Sequence, residues 1–106
     1  RWKSNITVFA TQKVANAATN TIGLSITPGA ASSMVIASYL IAPASAATLS
    51  SFTAGWTTAK DGAVMNGNCR KISKYLLSAG AAAITPTAVF SQSTTAIGGM
   101  VLEIRQ

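Results

Sequence analysis

The stretch Asn68-Cys-Arg-Lys-Ile-Ser-Lys-Tyr-Leu-Leu77 holds three of the eight basic residues of a 106-residue chain and its only cysteine. Three chemistries could use it. Arg70, Lys71 and Lys74 could neutralise phosphates while Tyr75 stacks on a base. Cys69 beside Arg70 could be a thiolate, because an adjacent cation lowers a thiol's pKa. The same residues also fit one β-strand whose charges meet solvent or a partner. The first two readings each lack a component. A single-strand-binding surface interleaves several aromatics with a larger basic set, and strand alternation would put Lys71 on the face opposite Arg70 and Lys74. Cys69 has no base and no resolving cysteine, which leaves it a small buried apolar residue. Arg70, Lys71 and Lys74 are therefore candidate contacts to a partner protein, expected at the surface with at least one of them paired to a neighbouring chain's carboxylate. Nucleic acid is a partner the sequence argues against.

The rest of the chain offers little for catalysis. It has no histidine, and Asp61 and Glu103 are its only acids. That removes zinc-site templates, Ser-His-Asp and Cys-His pairs and any recognisable carboxylate dyad. No enzyme activity, cofactor or metal is expected. Trp2, between Arg1 and Lys3, is a candidate anchor to another subunit. Trp56 reads as a plug of the core, although Trp56, Tyr39 or Tyr75 could instead stack on sugar rings in a glycan-binding head. Asn5-Ile6-Thr7 fits a glycosylation acceptor pattern, of consequence only on a eukaryotic secretory route.

Composition says what must position these residues. Only 9% of residues are charged while 49% are hydrophobic, and 20 Ala, 12 Ser and 13 Thr supply hydroxyls and methyls in place of charge. Soluble monomers ordinarily lean on mixed surface charge, so such a surface suits a subunit packed among neighbours. The net charge of +6 then has to face outward or meet acidic groups elsewhere. Two charge-free runs, residues 14–59 and 75–102, are interrupted by Pro, Gly, Asn and Gln, and no stretch approaches the roughly 20 apolar residues of a membrane span. No secretory signal is read at the N-terminus, where Arg-Trp-Lys-Ser-Asn leads straight into an alternating segment.

Period-2 patterning dominates. Ile22, Leu24 and Ile26 alternate with Thr and Ser. Residues 6–14 have the β-branched and aromatic content of a strand, and residues 33–42 are apolar on both faces, as a core strand would be. Asp61-Gly62 and Asn66-Gly67 are hairpin-turn signals around residues 63–65. Residues 69–77 read as a strand in preference to a helix, and residues 85–93 as another. Met100, Leu102 and Ile104, following the flexible Gly98-Gly99 pair, alternate with Val101, Glu103 and Arg105 and predict a last strand with its charges in water. The expectation is one all-β domain over residues 1–106, an antiparallel β-sandwich of seven to eight strands, jelly-roll or Ig-like.

From Thr53-Ala-Gly-Trp-Thr-Thr58 outward, the order of elements resembles the small β-sandwich domains of tail-fibre and other virion proteins of tailed bacteriophages. It comprises the strand over 6–14, the alternating 20–27, the apolar 34–42, a loop ending in Gly-Trp-Thr, the basic-aromatic 70–80, then 84–93 and the closing 96–105. It departs from that pattern in carrying Ala31-Ser-Ser-Met34 where an acidic Gly-Asp turn would precede the third strand. The resemblance implies a non-enzymatic virion subunit, a capsid decoration or tail-fibre component located on the particle. Such a subunit would form a homo-oligomer or dock on a capsid or tail protein. A glycan-binding head or surface adhesin outside the cell is the alternative, and a nucleic-acid-binding module a further one.

Overall fold

A computed structural model describes residues 7–15, 19–42, 47–94 and 96–105, with backbone only for 7–15 and for Thr94. The described residues form eight strands and no helix. These are β1 Thr7–Ala15, β2 Thr19–Gly23, β3 Met34–Ala42, β4 Leu49–Phe52, β5 Thr57–Val64, β6 Cys69–Leu76, β7 Thr87–Thr94 and β8 Ala96–Arg105. They make two antiparallel sheets, one in the order β1-β8-β3-β6-β5 and one in the order β2-β7-β4. The pairs β1 with β8, β2 with β7 and β3 with β6 are nested in sequence like the two arms of one long folded hairpin. The nest opens at its tip, where β4 joins β7 and β5 joins β6.

One core lies between the sheets. Alternation along β3 buries Val35, Ala37, Tyr39 and Ile41, and its neighbours add Ile72 from β6 and Ile97 and Val101 from β8. The smaller sheet contributes Ile22, Ala88 and Phe90. Leu24 and Ile26 extend the buried row of Ile22, as the alternating pattern predicts. Regular pairing nevertheless stops at Gly23, and Ile26 is held by a two-way backbone bridge to Ile84, both bonds 2.9 Å. The Tyr39 hydroxyl crosses between sheets to donate to the Pro86 carbonyl. Desolvation of the phenol pushes its pKa up to about 12, partly opposed by a backbone hydrogen bond at Leu24.

Three expectations are corrected. Glu103 does not face water: it is 0% exposed on the core side of β8 with Val101, while Met100, Leu102 and Ile104 occupy the outer side. The alternation was right and its polarity reversed, because a carboxylate that finds enough donors can be buried. Gly98 and Gly99 lie within β8 rather than before it. Asp61-Gly62 is not a turn but part of β5, and the hairpin turns at Met65–Asn68, with Met65, Asn66 and Gly67 at φ 54°, 56° and 84°. The short β4 has no strand-like pattern in its sequence, Leu-Ser-Ser-Phe, and is held in place by β7.

Candidate functional site

The most concentrated chemistry is the carboxylate of Glu103. Period-2 geometry puts Arg105 on the same face two residues on. Arg105 donates to both carboxylate oxygens, Nε to Oε1 at 3.0 Å and Nη2 to Oε2 at 2.9 Å. The Gly29 N–H donates to Oε1 at 2.8 Å, and the Ser33 hydroxyl donates to the same oxygen. The Arg105 hydrogen bonds outweigh burial and, with those of Ser33 and Gly29, hold the carboxyl pKa down at about 2. The guanidinium is pushed up in return. An acid that stays ionised and has its acceptor sites filled is no general acid or base near neutrality. Its effect is to pin the β2–β3 connection to β8. Ser33 passes the restraint on, since its carbonyl accepts the Ala79 N–H at 3.0 Å.

The cations of β6 divide as strand alternation requires. Arg70 is half-buried on the core side of the sheet, paired with Asp61 of its own chain and donating to the Ala47 carbonyl at 3.1 Å. Arg70 thus has a carboxylate partner within its own chain. Lys74 shares that side, with Nζ 5.1 Å from the centre of the Phe52 ring and 2.8 Å from Thr58 Oγ1. Lys71 alone projects exposed on the outer side. The three do not form one patch. Trp2 lies outside the described residues. Cys69 is buried, its thiol 3.6 Å from the Met65 sulfur.

Of the aromatics considered for sugar stacking, Tyr39 is buried and cannot meet a ligand. Trp56 is half-buried and packs edge-on against Phe52 at 5.7 Å between ring centres, at the margin of the core. Tyr75 is half-exposed on the outer side of β6.

That outer side of the five-stranded sheet is the surface the sequence reading missed. Met34, Ile36 and Leu40 from β3 lie beside Met100, Leu102 and Ile104 from β8, with Leu40 38% and Met100 43% exposed. A hollow of about 570 Å³ opens over this face, lined among others by Leu40, Ala42, Lys71, Gly98 and Met100. Gly98 stands opposite Leu40 in the β3–β8 register, so the floor of the hollow is a bare glycine beside an exposed leucine. Ser38, hydrogen-bonded to Ser73 at 3.0 Å, and Lys71 opposite Leu40 are the polar groups set into this largely apolar face. Its signal is the two-sided apolarity of residues 34–42, a pattern that a strand buried on both faces shares.

No family model, no curated protein and no solved structure matches this chain. Among the described residues no group of three or more Cys, Asp or Glu could hold a metal ion, and no helix is long and apolar enough to cross a membrane.

Proposed function

We propose that the chain is a non-enzymatic structural subunit of a virion, a decoration or tail-fibre component that acts by self-association or by docking on a capsid or tail protein. The observation that carries this reading is the apolar outer face of the larger sheet, where Leu40 and Met100 stand exposed beside Gly98. A face with one exposed charge, Lys71, and exposed Leu40 and Met100 among half-buried apolar neighbours is suited to contact with other protein. The strand nesting adds support by analogy of fold. The nested pairs β1·β8, β2·β7 and β3·β6, with β5 turned onto β6, favour a jelly-roll reading over an Ig-like one, and jelly rolls recur in viral capsid and lectin domains. Both acids among the described residues are taken up in ion pairs with arginines, which favours a scaffold over a reaction centre.

Light scattering and native mass spectrometry of the purified chain test the reading, together with sedimentation alongside particles. Oligomers or particle attachment are expected. A strictly monomeric chain that attaches to no particle contradicts it. A glycan-binding head is the second reading, favoured by Trp56 at the margin of the core beside exposed Thr57 and Thr58. Glycan-array binding abolished by Trp56→Ala would select it.

A further inference from the structure

Of the four strands that end the two sheets, three are short, irregular in register or doubly charged, and β1 carries only one such feature, the single charge of Lys13. β2 has five residues and β4 four, and both shift register against β7. β5 is irregular between Thr58 and Lys60 and bears Lys60 and Asp61. Short length, bulges and charge are the devices by which sheet edges avoid pairing. β1 runs nine residues in unbroken one-to-one register with β8, from Thr7 opposite Arg105 to Ala15 opposite Ile97. It contains no proline or glycine, and Lys13 is its single charge. No other described strand pairs with its second side.

We propose that this free side of β1 pairs antiparallel with β1 of a second copy of the chain about a two-fold axis at Thr11, joining two five-stranded sheets into one. The inference rests on the self-association reading above and deepens it by naming a second contact, at the edge of the same sheet whose apolar face that reading uses. The strand's own sequence selects the occupant. In Thr7-Val-Phe-Ala-Thr-Gln-Lys-Val-Ala15, reversal about the centre sets Val8 opposite Val14, Thr11 opposite itself and Lys13 opposite Phe9. Branched and Thr–Thr cross-strand pairs are favourable, and no like charges stand directly opposed. The two Lys13 fall four residues apart along the strands, about 14 Å at a rise of about 3.4 Å per residue. That exceeds the screening length of about 10 Å at 0.1 M salt, so this edge tolerates self-pairing in a chain of net charge +6. A two-fold contact uses the same patch on both copies and closes on itself, leaving no free β1 edge for open-ended growth.

The test joins a wild-type measurement to a register-specific one. Native mass spectrometry should give a dimer whose population rises with concentration, and hydrogen exchange should show the amides of residues 7–15 gaining protection over the same range. In a Cys69→Ser background, Thr11→Cys should form a disulfide with its own copy under oxidised glutathione at least about tenfold faster than Lys13→Cys, whose copies lie too far apart for a bridge. A chain that stays monomeric overturns the proposal, as does a dimer in which Thr11→Cys is no faster than Lys13→Cys. So does protection of residues 7–15 that appears only when a different virion protein is added. If β1 pairing fails while the chain still sediments with particles, the edge contact is wrong and the subunit reading stands. Loss of both removes the two together.

Discussion

Tyr39 stands directly opposite Gly99 in the β3–β8 pair, and its ring fills the space a side chain at position 99 would need. A Cβ built there would touch Tyr39 Cδ1 and lie 2.5 Å from the Ser38 carbonyl oxygen. The second contact is with backbone and cannot swing aside. Gly99→Ala should therefore cost about 2–3 kcal/mol through overpacking, measured by urea unfolding, whereas Gly62→Ala, where an added Cβ would meet only the flexible end of the Lys60 side chain at 3.5 Å, should cost little. Equal losses at the two positions would contradict the packing described for Tyr39.

Glu103 sets the acid limit of the fold. Its folded pKa, about 2, lies below the ordinary value of 4.5. The unfolded state therefore binds the proton first, and the contribution is complete above about pH 4.5 and lost as pH falls toward 2. Melting temperature should drop across that window, and Glu103→Gln should flatten the drop. The same substitution at neutral pH should cost about 3 kcal/mol, because it breaks a buried pair and leaves the Gly29 and Ser33 donors poorly matched.

Tyr39 sets a weaker limit at the alkaline end. Its folded pKa of about 12 exceeds the ordinary 10.0, so its contribution is whole below pH 10 and lost as pH rises toward 12. Tyr39→Phe should remove this alkaline slope and cost about 1 kcal/mol at neutral pH by freeing the Pro86 carbonyl. Melts recorded from pH 8 to 12 check both.

The cations of β6 should behave differently from one another. Lys71→Gln should leave stability within about 0.5 kcal/mol of wild type, as exposed charges do, and weaken particle attachment in a salt-dependent way. Arg70→Gln should lower stability by about 1–2 kcal/mol, since it releases Asp61 and the Ala47 carbonyl together. Denaturant melts and co-sedimentation at two salt concentrations distinguish the two roles.

Much of this architecture is legible in the sequence, and the failures share a physical cause. Ile22, Leu24 and Ile26 declare their buried row because one side is buried and the other wet, although only Ile22 lies in β2 and Ile26 is held by an isolated bridge. In β8 both faces are apolar apart from one ion pair, so alternation gives the period without saying which side is inside. What decides it is the set of donors from Gly29 and Ser33, some seventy residues away in sequence. The outer apolar face stayed hidden for the same reason. Residues 34–42 look like a strand buried on both sides, and only the neighbouring positions of β8 show that one of those sides is uncovered. Asp61-Gly62 has turn chemistry, yet Asn66-Gly67 lies closer to the hairpin tip and takes the positive φ values. The pairing of β5 with β6 then runs through Asp61 and Gly62.

The central claim, that the chain is a subunit built to pack against other protein through its larger sheet, is tested most directly by electron microscopy of the native assembly at a resolution that traces strands. The account predicts the chain as a repeated unit of a shell, tail or fibre, with Leu40 and Met100 covered by a neighbour. An assembly in which that face remains open to solvent in every copy, or particles that do not contain the chain, would contradict it.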